Sequence, residues 1–85
     1  MRYSVEITQR ALRELEELPI PIYNKAVSLI DRLEIEPFLS GSLKLKGFRN
    51  RWRIRIGDYR ILYERDDNSK SITVFRVVHR KEAYR

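Results

Sequence analysis

Arginine occupies every second position from Arg51 to Arg55, with Trp52, Ile54 and Ile56 interleaved, and Arg60 follows just beyond Gly57-Asp58. Alternate side chains of a strand point to opposite faces, so the apolar residues share one surface and the guanidinium groups the other. A guanidinium is planar, permanently charged and donates hydrogen bonds in pairs, which suits it to phosphate oxygens. A second basic group, His79-Arg80-Lys81, lies near the C-terminus, with Tyr84 beyond it. His79 is the side chain whose ordinary pKa, about 6.5, suits both taking and giving a proton near neutrality. The chemistry on offer is phosphate binding, with His79 available for proton transfer.

The elements that must position these residues are legible in the pattern. Residues 2–8 alternate Tyr3, Val5 and Ile7 with polar neighbours, which predicts a half-buried strand. Thr8 stands at a helix N-cap position, and Ala11, Leu12, Leu15 and Leu18 follow helical spacing with Glu14, Glu16 and Glu17 on the wet face. Pro19 ends that helix and Pro21 opens a second, whose stripe is Ile22, Ala26, Leu29, Ile30 and Leu33, before Glu36-Pro37 stops it. So short a link predicts an αα-hairpin. Leu43 to Gly47 leads into the arginine hairpin, which turns at Gly57-Asp58, and a polar turn at residues 66–69 precedes a β-branched strand over residues 71–78. The order β-α-α-β-β-β with a short basic tail fits one α+β domain, residues 1–85, in which the helices cover one sheet face and an antiparallel β-meander completes it. By parity, Arg53, Arg55 and Arg60, with Arg76 and Arg80 from the last strand, look away from the helices, although Leu62 and Val78 share that parity.

Composition narrows the function classes. The absence of cysteine excludes disulfides and thiolate chemistry, and one histidine with scattered carboxylates leaves no cluster at metal-ligand spacing. No apolar run approaches the roughly 20 residues that span a bilayer, and no signal segment is evident, so a cytoplasmic protein with no membrane partner is expected. The net charge of +6 is divided unevenly. Residues 1–43 hold five Lys and Arg against seven acids, net −2; residues 44–85 hold thirteen against five, net +8. The basic half is the candidate binding surface, for nucleic acid or an acidic protein segment.

Lys44-Leu45-Lys46-Gly47, the run from Trp52 to Tyr63, and Val77-Val78-His79-Arg80-Lys81-Glu82-Ala83-Tyr84 together resemble the RelE/ParE toxin superfamily of toxin–antitoxin systems, across almost the whole chain. The resemblance implies a RelE-like fold and, in the RelE branch, a metal- and cofactor-independent ribonuclease that cuts mRNA in the ribosomal A site. The ParE branch keeps the fold and poisons DNA gyrase. On the nuclease reading, Arg53 and Arg55 fall where that branch places basic residues on the central strand. Arg60 falls on its phosphate-contacting arginine, Arg80 on its general-acid or transition-state arginine, and Tyr84 on its C-terminal tyrosine. The resemblance also implies a RelB-like antitoxin with an acidic amphipathic segment, and ribosome and mRNA as partners. Two departures stand out: the central-strand pair is Arg rather than Lys, and the Arg80 to Tyr84 spacing is shorter than in well-known RelE-type enzymes.

Each residue has a plainer alternative. Lys44, Lys46, Arg76 and Lys81 either hold RNA or only enlarge the positive field. His79 is catalytic or structural, and Tyr84 is a proton acceptor or a C-terminal anchor. Trp52 stacks a base or, as its alternation with Ile54 favours, enters the core; Glu14, Glu16 and Glu17 read as a solvated helix face. A gyrase poison and a binding module that does not cut are the rival functions.

Overall fold

The computed structural model describes residues 2–81. The elements are β1 (Ser4–Ile7), α1 (Gln9–Glu16), α2 (Ile20–Leu33), β2 (Leu43–Lys44), β3 (Arg51–Ile56), β4 (Tyr59–Asp66) and β5 (Ser71–His79). They form one five-stranded sheet in the order β1-β5-β4-β3-β2, with β1 parallel to β5 and the other pairs antiparallel. The α+β architecture is the expected one, with one addition: the segment leading into the hairpin pairs briefly as β2, opposite Trp52 and Arg53.

Local chemistry explains the element ends. The Thr8 hydroxyl accepts from the Ala11 N–H at 3.1 Å, capping α1. Pro21 lies in the first turn of α2, where a missing N–H costs no helical bond. Gly57 takes a φ of +57° at the first of two hairpin residues, and Asp58 does not, the signature of a turn whose twist matches its strands. Apolar side chains of both helices, Ala11, Leu15, Ala26, Ile30 and Leu33, pack on Ile54, Ile56, Ile61, Tyr63, Ile72, Val74 and Val77 of the sheet. The loop after α2 is tied to that core by buried Leu39 and by a 2.8 Å hydrogen bond between the Ser42 and Tyr63 hydroxyls.

Alternation is broken once, between Leu62 and Tyr63 of β4, which face Arg76 and Val74, so that Phe75 is an extra residue in β5. There β5 also loses its outer neighbour, because β1 ends at Ile7 opposite Val74. Glu14 of α1 takes over. Its carboxylate accepts the Val77 N–H at 2.8 Å and the Arg76 Nε–H at 3.1 Å, standing in for a strand at an otherwise open edge. Glu14 is therefore half-buried and structural, a correction to the solvated face expected for it, whereas Glu16 and Glu17 are exposed.

Glu14→Ala should lower unfolding stability by about 1–3 kcal/mol in chemical denaturation, because it strands a backbone donor and a guanidinium. Glu16→Ala should stay within about 0.5 kcal/mol of the parent. A pH effect follows from the β4–β5 turn. The Asp66 carboxylate accepts the Asn68 and Ser69 N–H groups at 3.0 and 3.2 Å, which hold its pKa below the ordinary carboxylate value. A folded pKa below the unfolded value of about 3.9 means stability present above that pH and lost as pH falls through the lower folded value. Acid titration of stability should show this loss, and Asp66→Ala should flatten it.

Candidate functional site

The register of β3 with β4 places Arg51 opposite Glu64, Arg53 opposite Leu62, and Arg55 opposite Arg60, on the face away from the helices. Strand β5 continues the layer with Arg76 beside Leu62 and Val78 beside Arg60. The arginine face is thus real, and Leu62 and Val78 do share it. Two cavities open on it. One, of about 370 Å³, is lined by Arg55, Arg60, Arg80 and Lys81. The second, about 380 Å³, is lined by Leu45, Lys46, Phe48, Arg51, Arg53, Leu62, Phe75 and Arg76.

The first cavity is bounded entirely by cations among the described residues. Arg60 is 7% exposed, whereas Arg55 and Arg80 are open to solvent. Arg55 is steered by its Nε–H, which donates to the Gly57 carbonyl at 3.0 Å, and so leans along the hairpin tip. Arg80 is strapped to the same tip: its backbone N–H donates to the Asp58 carbonyl at 2.7 Å, and its Nε lies 3.8 Å from the Asp58 carboxylate. The Gly57-Asp58 turn therefore holds arginines from two strand ends at one opening. An anion entering there would meet several guanidinium groups within a partly desolvated recess, where charge interactions exceed those in bulk water.

The second cavity mixes charge with apolar surface. The Arg51 guanidinium lies 4.5 Å from the Phe48 ring centroid and 4.7 Å from that of Phe75, and its Nε–H donates to Glu64 at 3.0 Å. Arg51 is thus engaged in organising two aromatic rings, while Arg53 and Lys46 border the space beside them. Arg76 reaches the same cavity with its Nε already bound to Glu14.

Arg55, Arg60, Arg80 and Lys81 are brought together, and Lys46, Arg53 and Arg76 line the neighbouring cavity. Two other candidates are placed elsewhere. His79 pairs with Tyr59 on the helix side, packs edge-on against that ring at 5.2 Å, and lines a separate recess with Glu14, Glu17 and Leu18. It joins the strand as an extended residue, so it must face opposite to the arginine layer. Lys44 pairs with Trp52 and so takes the helix-side parity, exposed at the sheet edge. Tyr84 lies outside the described residues. Sequence reasoning did not single out Phe48 and Phe75; Phe75 and Arg76, adjacent in sequence, share the arginine face only through the bulge, for which the sequence carries no signal. Trp52 packs against the core, with the Arg65 guanidinium 4.5 Å over its ring. Among the described residues no three His, Asp or Glu side chains are grouped as a metal ion would need, and no helix is long and apolar enough to cross a membrane.

Fold and site together define a small α+β protein with helices on one sheet face and a cationic, aromatic-edged surface on the other. The family described as ParE toxin of type II toxin-antitoxin system, parDE, matches residues 5–84. Toxin RelG of Mycobacterium tuberculosis is 34% identical over 86 residues, covering all of this chain and 99% of that protein. Among solved structures, the toxin-antitoxin complex RelBE2 of M. tuberculosis contains a chain 33% identical, with a TM-score of 0.79 over 94% of this chain and 100% of that one. The archaeal RelE-RelB complex of Pyrococcus horikoshii gives 29% identity and a TM-score of 0.80 over 94% and 97%. This chain belongs to the RelE/ParE superfamily of toxins from type II toxin–antitoxin systems.

Proposed function

We propose that the protein is the toxin of a RelBE-type pair and a metal-independent endoribonuclease that cuts ribosome-bound mRNA in the A site, acting in the cytoplasm. The observation that carries this reading is the all-cationic recess of Arg55, Arg60, Arg80 and Lys81. In the reaction a base takes the proton of a ribose 2′-OH, the oxygen attacks the adjacent phosphorus, and the 5′-oxygen leaves with a proton. The products are a 2′,3′-cyclic phosphate and a 5′-hydroxyl. Arg55 and Arg60 grip the phosphate and stabilise the negative charge that builds on its oxygens. Arg80, at the mouth, donates a hydrogen bond that stabilises the charge on the departing oxygen, and water supplies the proton that oxygen takes up. None of these arginines accepts a proton, because a guanidinium stays charged at any working pH. Tyr84, outside the described residues, is the chain's candidate for that step; a tyrosine, with an ordinary pKa of about 10, accepts a proton near neutrality only where cations lower that value. The ribosome supplies the in-line geometry that free mRNA seldom adopts.

The same face accounts for neutralisation. The M. tuberculosis and P. horikoshii relatives are seen in complex with antitoxins. An acidic amphipathic segment laid over the arginine layer here would pair its charges and close the recess together.

The test is to add the protein to translating ribosomes and map mRNA ends. Cleavage leaving 2′,3′-cyclic phosphate is expected, with Arg60→Ala, checked for a folded state by circular dichroism, slowing it about 10²-fold or more. Intact mRNA accompanied by gyrase-linked DNA breaks would overturn the nuclease reading. Arg80→Ala protein that cuts at the parental rate would remove Arg80 alone from the mechanism.

A further inference from the structure

We infer that the second cavity on the arginine face is a nucleobase subsite, in which Phe48 and Phe75 stack the base of the nucleotide next to the one whose phosphate sits among Arg55, Arg60 and Arg80. The inference rests on the proposed RNA reading and names what that reading leaves open, a part of the surface that touches bases.

The two cavities share one sheet face and one strand. Arg53 lines the second and Arg55 the first, two residues apart, an advance of about 6.6 Å along the strand. That is comparable to the step between successive phosphates of an extended single strand, so a chain with one phosphate at Arg55 has its neighbour's phosphate at Arg53. The second cavity differs from the first in what surrounds its charges. Leu45 and Leu62 give it an apolar floor, and Phe48 and Phe75 gather around the Arg51 guanidinium. Glu64 already holds Arg51, so that arginine lies fixed against both rings, leaving the exposed side of Phe48 to a ligand, while Arg53 and Lys46 supply the border charge.

A flat π-surface, an apolar floor and a cationic border match a nucleotide: a base with two faces that stack on aromatic or guanidinium planes, and a phosphate. About 380 Å³ is also within the range of pockets that hold small organic ligands. Phe48 is 47% exposed although it is a large apolar residue, which leaves a ring surface for an incoming partner. An acidic peptide would use the cations, but the paired rings ordered by a neutralised arginine favour a planar ligand. Because stacking tolerates every base, the subsite should raise affinity broadly, with the larger purines gaining most.

The experiment measures binding of labelled hexaadenylate RNA, and of the same RNA with one abasic position, to the full chain and to Phe48→Ala and Arg60→Ala. Phe48 is exposed, so its truncation should fold; a Phe48→Trp variant, which keeps a stacking surface, serves as the second control. Phe48→Ala is expected to weaken hexaadenylate binding about 5- to 100-fold. Phe48→Trp should restore it, and the abasic RNA should bind the parent and Phe48→Ala with affinities much closer together. Equal loss with both RNAs, or no loss with either, would overturn the subsite. If an acidic peptide, and neither RNA, were the ligand sensitive to Phe48→Ala, the cavity would be a protein-docking surface and the inference wrong. Failure of the underlying RNA reading is distinguishable: Arg60→Ala would then leave binding of both RNAs unchanged.

Discussion

Arg55 and Arg60 face each other directly across β3 and β4. Like charges in that relation are destabilising by a few tenths of a kcal/mol to about 1 kcal/mol, so a sheet optimised for stability alone would place an acid at one of the two positions. Four pairs along the same hairpin, and on the same face, Arg51 does stand opposite Glu64, at 3.0 Å. Within one hairpin, the base sets an arginine against an acid, whereas the tip sets two arginines side by side, with Asp58 beside them 3.8 Å from Arg80.

A repulsive cluster needs a stiff frame, and most of the fold's special features serve it. The core on the other face fixes the register through Ile54, Ile56, Ile61 and Tyr63, and a slip of one residue would turn every arginine inward. The hairpin tip then becomes a common anchor: the Gly57 carbonyl takes Arg55 and the Asp58 carbonyl takes the backbone of Arg80. At the far edge of the layer, Glu14 completes the hydrogen bonding of β5 where β1 has ended and orients Arg76 in the same act. The bulge puts Phe75 and Arg76 on the arginine face together, with Phe75 beside Arg51. Local irregularity thus converts a uniform row of charges into two chemically different recesses.

The sequence carried the parts of this that depend on short-range rules. The strict alternation from Arg51 to Ile56, the glycine at the turn, Thr8 as a cap and the two prolines bounding the helices are each local signals, and each appears in the fold as read. The pairing of β1 with β5 and the role of Glu14 depend on contacts more than sixty residues apart, and the bulge on how β4 meets β5, none of which a local pattern encodes. His79 shows the same limit at the site. Its chemistry made it a candidate, but whether it faced the arginines depended on how far β5 continued, and the strand runs through His79 itself. Lys44 was displaced similarly, by a two-residue strand too short to read from its pattern.

If the Arg55–Arg60 juxtaposition is kept for an anion and against stability, ligand should reverse the order of stability between the parent and a variant that lacks it. Unfolding free energies of the parent and of Arg55→Gln, measured at low ionic strength with increasing short single-stranded RNA, should cross. Without RNA the variant should be the more stable, by up to about 1 kcal/mol; as RNA is added the parent should gain more and overtake it, since a ligand stabilises in proportion to its affinity for the folded state. An Arg55→Gln protein that is less stable than the parent without RNA, and that gains as much from RNA, would contradict the account.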